Sequence, residues 1–341
     1  MRLENILALT HGKLINEPFV NSFENIVFEA NRVKRGDLFI AFSEEMIQTA
    51  ILNGAYGIIF DKPTQMSDNE IAWIKVQDVE DALKRLLRFR LIEKEVVVYE
   101  CNEIILKLAL QVVTEPNFIV LNGDIKSILK TLWHVESKSV LLFCPEYLSR
   151  DIFVNIEMLQ KVDIEPVTVM EQTLFETSFI YDNIFYERQL ISPFFIPYLE
   201  ELLHLFTSMK INFKIKKFTQ IDHFEAVFTN KNFEIREFGT SDKVLIFEPN
   251  ANLIQNEIIF LQKQANWAKV IYIVPFKDEQ LPHASEDETL SNIYYYKDEK
   301  EIMEILKSNN YHFAFIAGVD KSILHKPLPL KQTQLTLDFM D

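Results

Sequence analysis

The sequence predicts an α/β fold in two or three domains, and three observations carry that prediction. The β-branched run Val96, Val97 and Val98 passes within a few residues into an apolar helical pattern over 104–110. That is how the first strand and helix of a nucleotide-binding type of α/β domain begin. Strand and helix patterns alternate again between 243 and 317, in the manner of a Rossmann-like sheet. The length of 341 residues exceeds what one hydrophobic core usually organises.

Composition narrows the function classes. Apolar residues make up 48% and charged residues 25%, ordinary globular proportions, whereas 28 Phe stand against only 7 Gly. So few glycines leave few places where bare backbone can approach a phosphate. The formal charge of −15, with no basic cluster longer than 214–217, argues against nucleic acid and anionic membrane as partners. Cys101 and Cys144 are too few for a disulfide framework or a zinc site, and the seven His are scattered, so a reducing, cytoplasmic location is expected. The first five residues lack a long apolar stretch and no run approaches about 18 apolar residues, so neither export nor membrane insertion is expected.

The first segment reads as a small α/β domain over 1–93. A strand at 23–30 and a Gly36-Asp37 turn feeding an apolar strand at 38–42 come first. A short helix at 46–53 closed by Gly54 follows, then a strand at 55–60 and an amphipathic helix at 79–90 with Ala82, Leu83, Leu86 and Leu87 on one face.

The residues Arg32, Val33, Gly36-Asp37-Leu38-Phe39-Ile40-Ala41, Ala50, Gly54-Ala55, Val76, Asp78-Val79 and Ala82-Leu83 occur in the order and spacing of the N-terminal domain of the Mur ligases. The chain resembles this family of ATP-dependent amide ligases, which build the peptidoglycan stem peptide, and most resembles the ligase that adds D-alanyl-D-alanine. The resemblance implies that this domain holds the uridine nucleotide end of a UDP-linked peptidoglycan precursor, with Arg32 and Asp37 as candidate substrate-binding residues. Two departures stand out: the family's Ser before the Arg is Asn31, and the Asp-Gly-His/Arg segment expected after Phe42 is missing. The same residues also read as a plain turn at Gly36-Asp37 with a solvated Arg32.

The central domain, 94–222, is where the resemblance puts the chemistry. Aligned on Val98, the family's Thr-Gly-Ser-Asn-Gly-Lys-Thr-Thr loop falls on Tyr99-Glu100-Cys101-Asn102-Glu103-Ile104-Ile105-Leu106, retaining only Asn102. The Lys that carries phosphate becomes Ile104 and the Ser/Thr that holds Mg²⁺ becomes Ile105, while Glu100 and Glu103 add negative charge. A second candidate follows a strand at 118–121, where Asn122-Gly123-Asp124-Ile125-Lys126-Ser127 ends in the Lys-Ser of a phosphate loop but has too short a Gly-to-Lys spacing. Next, 139–146 resembles the strand that ends in a Mg²⁺-ligating Glu; that Glu falls on Phe143, with Glu146 three residues on. A strand at 164–169 then leads quickly to a helix at 195–209, so the substrate-facing middle segment reads as trimmed away. Lys126, Ser127 and Glu146 are therefore the candidate catalytic residues.

The third domain, 223–325, opens with His223-Phe224-Glu225 where the family has Gly-Arg-x-Glu. Then 243–252 resembles Ile-Asp-Asp-Ser-Tyr-Asn-Ala-Asn-Pro, matching at Asn250-Ala251-Asn252. In the family this loop approaches the adenine nucleotide, so Asn250 and Asn252 are candidate binding residues; the same triplet reads equally as a helix N-cap. A helix at 253–265, strand at 270–274, helix at 300–308 and strand at 313–317 complete a Rossmann-like alternation, and Gly318-Val319-Asp320-Lys321-Ser322 replaces the family's Lys-Gly-Ser. The tail, 326–341, reads as an extended linker and a Gln-x-x-Leu-x-Phe peptide formed by Gln334, Leu337 and Phe339, similar to sliding-clamp docking peptides and equally readable as a terminal strand.

The resemblance thus implies a three-domain Mur-ligase-like architecture with a trimmed central P-loop-type domain and a Rossmann-like C-terminal domain. Two functional expectations follow. One is a binding or regulatory paralogue without ligase activity or cofactor, contacting a UDP-linked precursor and, through its tail, a protein partner. The other is a diverged ligase that uses ATP and Mg²⁺ to add an amino acid or dipeptide to a UDP-linked muramoyl-peptide.

Overall fold

A computed structural model describes residues 1–62, 64–159, 166–241, 243–276 and 292–325. The chain divides into two compact units, Met1–Lys161 with Glu201–Lys214, and Val162–Glu200 with Ile215–Asp341.

The first unit begins with α1 (Leu3–Thr10), β1 (Lys13–Leu14), β2 (Ile26–Val27), β3 (Leu38–Ile40), α2 (Ile47–Leu52), β4 (Gly57–Phe60), β5 (Ala72–Lys75) and α3 (Val79–Lys94). These strands form one sheet in the order β1-β5-β4-β3-β2, with β1 antiparallel to β5 and the rest parallel. The strand expected over 23–30 shrinks to β2, because Ala30–Arg32 turns into a 3₁₀ helix. Gly36 makes the turn into β3 at φ 99°, a conformation that strains any L side chain. Gly57 lets β4 approach the core, where an added Cβ would come within 2.6 Å of the Phe23 ring.

Asp78 caps α3, its carboxylate accepting from the Asp81 N–H at 2.8 Å, and Glu95 ends the helix in the left-handed conformation at φ 51°. Beyond it come β6 (Val97–Glu100), α4 (Glu103–Val112), β7 (Phe118–Val120), α5 (Ile125–Trp133), β8 (Val140–Phe143) and β9 (Glu157–Met158). They build an all-parallel sheet in the order β7-β8-β6-β9. Helix α3 packs on both α1 and α5, and Leu83, Leu86 and Leu87 share one core with Leu129, Leu132, Leu141 and Phe143. Each such side chain contributes about 1.5–3 kcal/mol on full burial.

The second unit contains an antiparallel sheet of β10 (Thr168–Gln172), β11 (Thr177–Tyr181) and β12 (Ile184–Gln189). Here the sequence reading is corrected. Of the strand expected at 164–169, residues 164 and 165 lie outside the described residues and β10 starts at Thr168. Instead of running straight on to a helix, the chain makes a hairpin through Asp182 and Asn183, both left-handed at φ 47° and 60°. That pairing is the two-residue turn whose twist suits a hairpin. Helix α6 (Ile196–Met209) follows, and the division between the units falls inside it.

The rest of this unit is β13 (Glu225–Thr229), β14 (Lys243–Glu248), α7 (Ile254–Gln264), β15 (Val270–Pro275), β16 (Ile293–Tyr296), α8 (Glu299–Ser308) and β17 (Phe313–Ala317). The sheet order is β13-β14-β17-β15-β16, with only β13 antiparallel. The fully buried runs of β14 and β17 mark them as central strands, covered by α8 through Ile302 and Leu306.

Candidate functional site

In open α/β sheets, ligands meet the carboxyl ends of the strands. In the first unit, β6 passes to α4 through Cys101 and Asn102. The Asn102 side chain accepts from the Ile105 N–H at 2.9 Å and so caps the helix, while the Cys101 N–H bonds to the Phe143 carbonyl at 2.9 Å. Ile104 and Ile105 face the core at 0% and 1% exposure, because the apolar stripe of α4 begins at its first turn.

Carboxylates surround this helix start. Glu100, 6% exposed, receives two hydrogen bonds from the Arg150 guanidinium. Glu103 pairs with Lys107 Nζ at 2.8 Å and accepts from the Tyr147 hydroxyl. Glu146 Oε2 accepts from the Cys144 thiol at 2.5 Å. Burial and, after it, that hydrogen bond push the Cys144 thiol up to about 12. Burial first, then the neighbouring Cys144, lifts the Cys101 thiol further still.

Lys126 and Ser127 lie on the first turn of α5, at the end of β7. Asp124 caps this helix: its Oδ1 accepts from the Lys126 and Ser127 N–H groups at 3.0 and 3.1 Å, and its Oδ2 accepts from Ser127 Oγ at 2.5 Å. Those bonds, the Ser127 hydroxyl first, lower the Asp124 carboxyl below its usual range. Lys126 is exposed, with its ammonium 5.3 Å from the centre of the Phe42 ring. The structure thus places Lys126 beside Phe42 and Glu146 beside Cys144.

Of the residues expected to bind substrate in the first unit, Asp37 is 2% exposed and tied into its turn, accepting from Asn25 Nδ2 at 3.0 Å and from the Lys34 N–H at 2.8 Å. Arg32 points outward, its side chain 77% exposed and paired with Glu29 at 2.8 Å.

In the second unit, the carboxyl end of β14 carries Glu248, which is fully buried. It accepts from His223 Nδ1 at 3.0 Å, from the Phe224 N–H at 3.1 Å and from the Asn250 N–H at 2.6 Å. Asn250 Oδ1 accepts from the Asn252 N–H at 2.9 Å, closing a turn, and α7 begins after Leu253 without a side-chain cap. Glu257, one turn into α7, is fully buried beside Glu248. Burial, and after it the charge of Glu248, lifts the Glu257 carboxyl well above its usual range. Beside these groups Lys321 Nζ pairs with Glu225 Oε1 at 2.7 Å.

Sequence reasoning missed the His223, Glu248 and Glu257 cluster. The available signal was an acid inside an otherwise apolar strand, and an acid four residues before Leu261 on the buried face of α7. Gln334, Leu337 and Phe339 of the tail lie outside the described residues. Among the described residues, no group of His, Cys, Asp and Glu could hold a metal ion, and no helix is long and apolar enough to cross a membrane.

No protein-family model matches the chain, and no curated protein does. Solved structures do. Crystal structure I of MurF from Acinetobacter baumannii overlaps it with a TM-score of 0.51 at 10% identity, covering 93% of this chain and 95% of that one. The MurF ligase from Thermotoga maritima in complex with ADP gives 0.48 at 14% identity, covering 88% and 95%. The first overlap, together with the order of sheets and helices above, identifies the fold: this chain has a Mur-ligase-like, multi-domain α/β fold.

Proposed function

We propose that this protein acts in peptidoglycan metabolism in the cytoplasm as a Mur-ligase-like binding or regulatory protein without ATP-dependent ligase activity. One observation carries the reading: at the start of α4, where the ligases' phosphate loop would align, the positions of the Lys and the Mg²⁺-holding Ser/Thr are Ile104 and Ile105, both in the core. A triphosphate needs unsatisfied N–H groups and a cation. Here Asn102 takes the Ile105 N–H, and the cations at the same edge are engaged by carboxylates, Arg150 by Glu100 and Lys107 by Glu103. At α5, Asp124 uses the N–H groups that a phosphate would need. These groups do not fit ATP with Mg²⁺. The reading keeps a UDP-linked muramoyl precursor as the ligand of the first unit, with Arg32 as its outward-facing cation.

Calorimetry with Mg-ATP tests this. The expected result is no heat of binding up to about 1 mM nucleotide, a free energy weaker than about −4 kcal/mol. Micromolar binding that disappears in Lys126→Ala would overturn it. It would favour the second reading, a diverged ligase joining an amino acid or dipeptide to the precursor with Lys126, Ser127 and Glu146. What speaks for that reading is the exposed Lys126 at the carboxyl edge of the sheet. Rescue of a strain lacking the D-alanyl-D-alanine-adding ligase would establish it.

A further inference from the structure

The second unit holds a cavity of about 640 Å³ that none of the candidate residues above lines. It lies at the amino ends of β14 and β17, marked by Val244 and Phe313, whereas Glu248 and Gly318 stand at their carboxyl ends. Its walls come from the turn joining β10 to β11, the loop joining β13 to β14, and the carboxyl end of α7.

The floor is apolar: Leu174, Phe175, Phe228, Val244 and Phe313 are each at most 9% exposed. At the rim, Phe238 and Trp267 keep 37% and 71% of their surface in solvent. The rings hold one another in place. Phe238 lies 4.8 Å from Phe228 and 6.4 Å from Phe175, and Trp267 stands edge-on to Phe313 at 5.9 Å. The aromatic walls are therefore preformed, and the volume is that of a small-molecule site, about 300–1,000 Å³.

The polar groups select the charge of the guest. His312 Nδ1 accepts from the Lys269 N–H at 3.0 Å, which puts the ring proton on Nε2 and makes it a donor. Gln172 and Gln264 add amides. Among the described residues lining the cavity there is no Lys or Arg. Lys243, next to Val244 in sequence, is held over the Tyr311 ring at 4.8 Å. The one lining acid, Glu176, is paired with Arg188 at 3.2 Å. The carboxyl end of α7 carries partial negative charge, offset in its last turn by Lys263, which does not line the cavity, and aromatic faces attract cations and repel anions.

We propose that this cavity binds a planar aromatic small molecule that is neutral or positively charged, and that it rejects carboxylates and phosphates. The site is separate from the nucleotide question, so the two readings stand or fall independently.

Three naphthalenes that differ only in their substituent test it in calorimetry and ligand-observed NMR on the full chain: 1-naphthylmethylamine, 1-naphthylmethanol and 1-naphthylacetate. The amine and the alcohol should bind below about 1 mM, and the acid at least about tenfold more weakly. Trp267→Ala, at a position 71% exposed, should weaken the amine about tenfold without lowering the melting temperature, and Phe238→Ala should weaken it similarly with some loss of stability from its packing on Phe228. Phe19→Ala, 90% exposed in the first unit, should leave binding unchanged. Equal affinity for the acid, indifference to both rim variants, or no binding of amine or alcohol at about 5 mM would each overturn the proposal.

Discussion

His223 Nδ1 lies 3.0 Å from Glu248 Oε1, and both side chains are wholly shielded from solvent. Removing one partner of a buried hydrogen bond leaves the other unsatisfied, which typically costs about 1–3 kcal/mol. Urea unfolding of His223→Ala should show a loss of at least that size. A change below about 0.5 kcal/mol, the range of ordinary surface substitutions, would mean that Glu248 is held by its backbone donors alone.

The neighbouring Glu257 makes a pH prediction. Its carboxyl is raised well above 4.5, chiefly by burial. Between the unfolded and folded values the folded state binds one more proton, so stability is full below the unfolded value and declines as pH rises through the folded one. Glu257→Gln removes that proton uptake. Melting curves from about pH 5 to pH 8 should therefore show the variant gaining on the parent as pH rises, and parallel curves would contradict the assignment.

At α4, Asn102→Ala should cost about 1 kcal/mol, the usual value of a side-chain N-cap. Ile104→Lys, which puts back the cation of a phosphate loop, is expected to unfold the first unit rather than create nucleotide binding, because it buries an ammonium in a site of 0% exposure. Circular dichroism and calorimetry on the same sample separate the two outcomes.

Cys144, pushed up to about 12, and Cys101, lifted further, should both resist alkylation in the native state at neutral pH, since the thiolate is the nucleophile. Mass spectrometry after iodoacetamide should find them unmodified in the folded chain and both modified in urea. Glu146→Gln removes the second cause of the Cys144 shift and leaves burial, the largest, so Cys144 should stay protected in the folded variant.

If the tail holds a protein partner, a chain ending at Lys331 should lose it in pull-downs while keeping its melting temperature. Unchanged partners with a lower melting temperature would make Gln334, Leu337 and Phe339 structural instead.

The sequence by itself determined the α/β class and most elements whose signals are local. Val97–Glu100 passing into α4 and the start of α7 after β14 lie within a residue or two of where periodicity puts them, whereas α3 starts at the expected Val79 but runs to Lys94, four residues past its expected end. The sequence also showed Ile104 at the position where the resemblance expects the cation of a phosphate loop. The shorter strands β1, β5, β13 and β16 escaped, since a few residues carry no period and gain definition only from a neighbouring strand. So did the hairpin at Asp182 and Asn183, whose turn signal was present and overlooked. Only the tertiary structure decided which polar groups meet. His223 and Glu248 are 25 residues apart and Glu225 and Lys321 are 96 apart. The floor of the aromatic cavity likewise joins Phe175 to Phe313. Such contacts depend on strand order and register, and nothing in local spacing encodes which strand lies beside which.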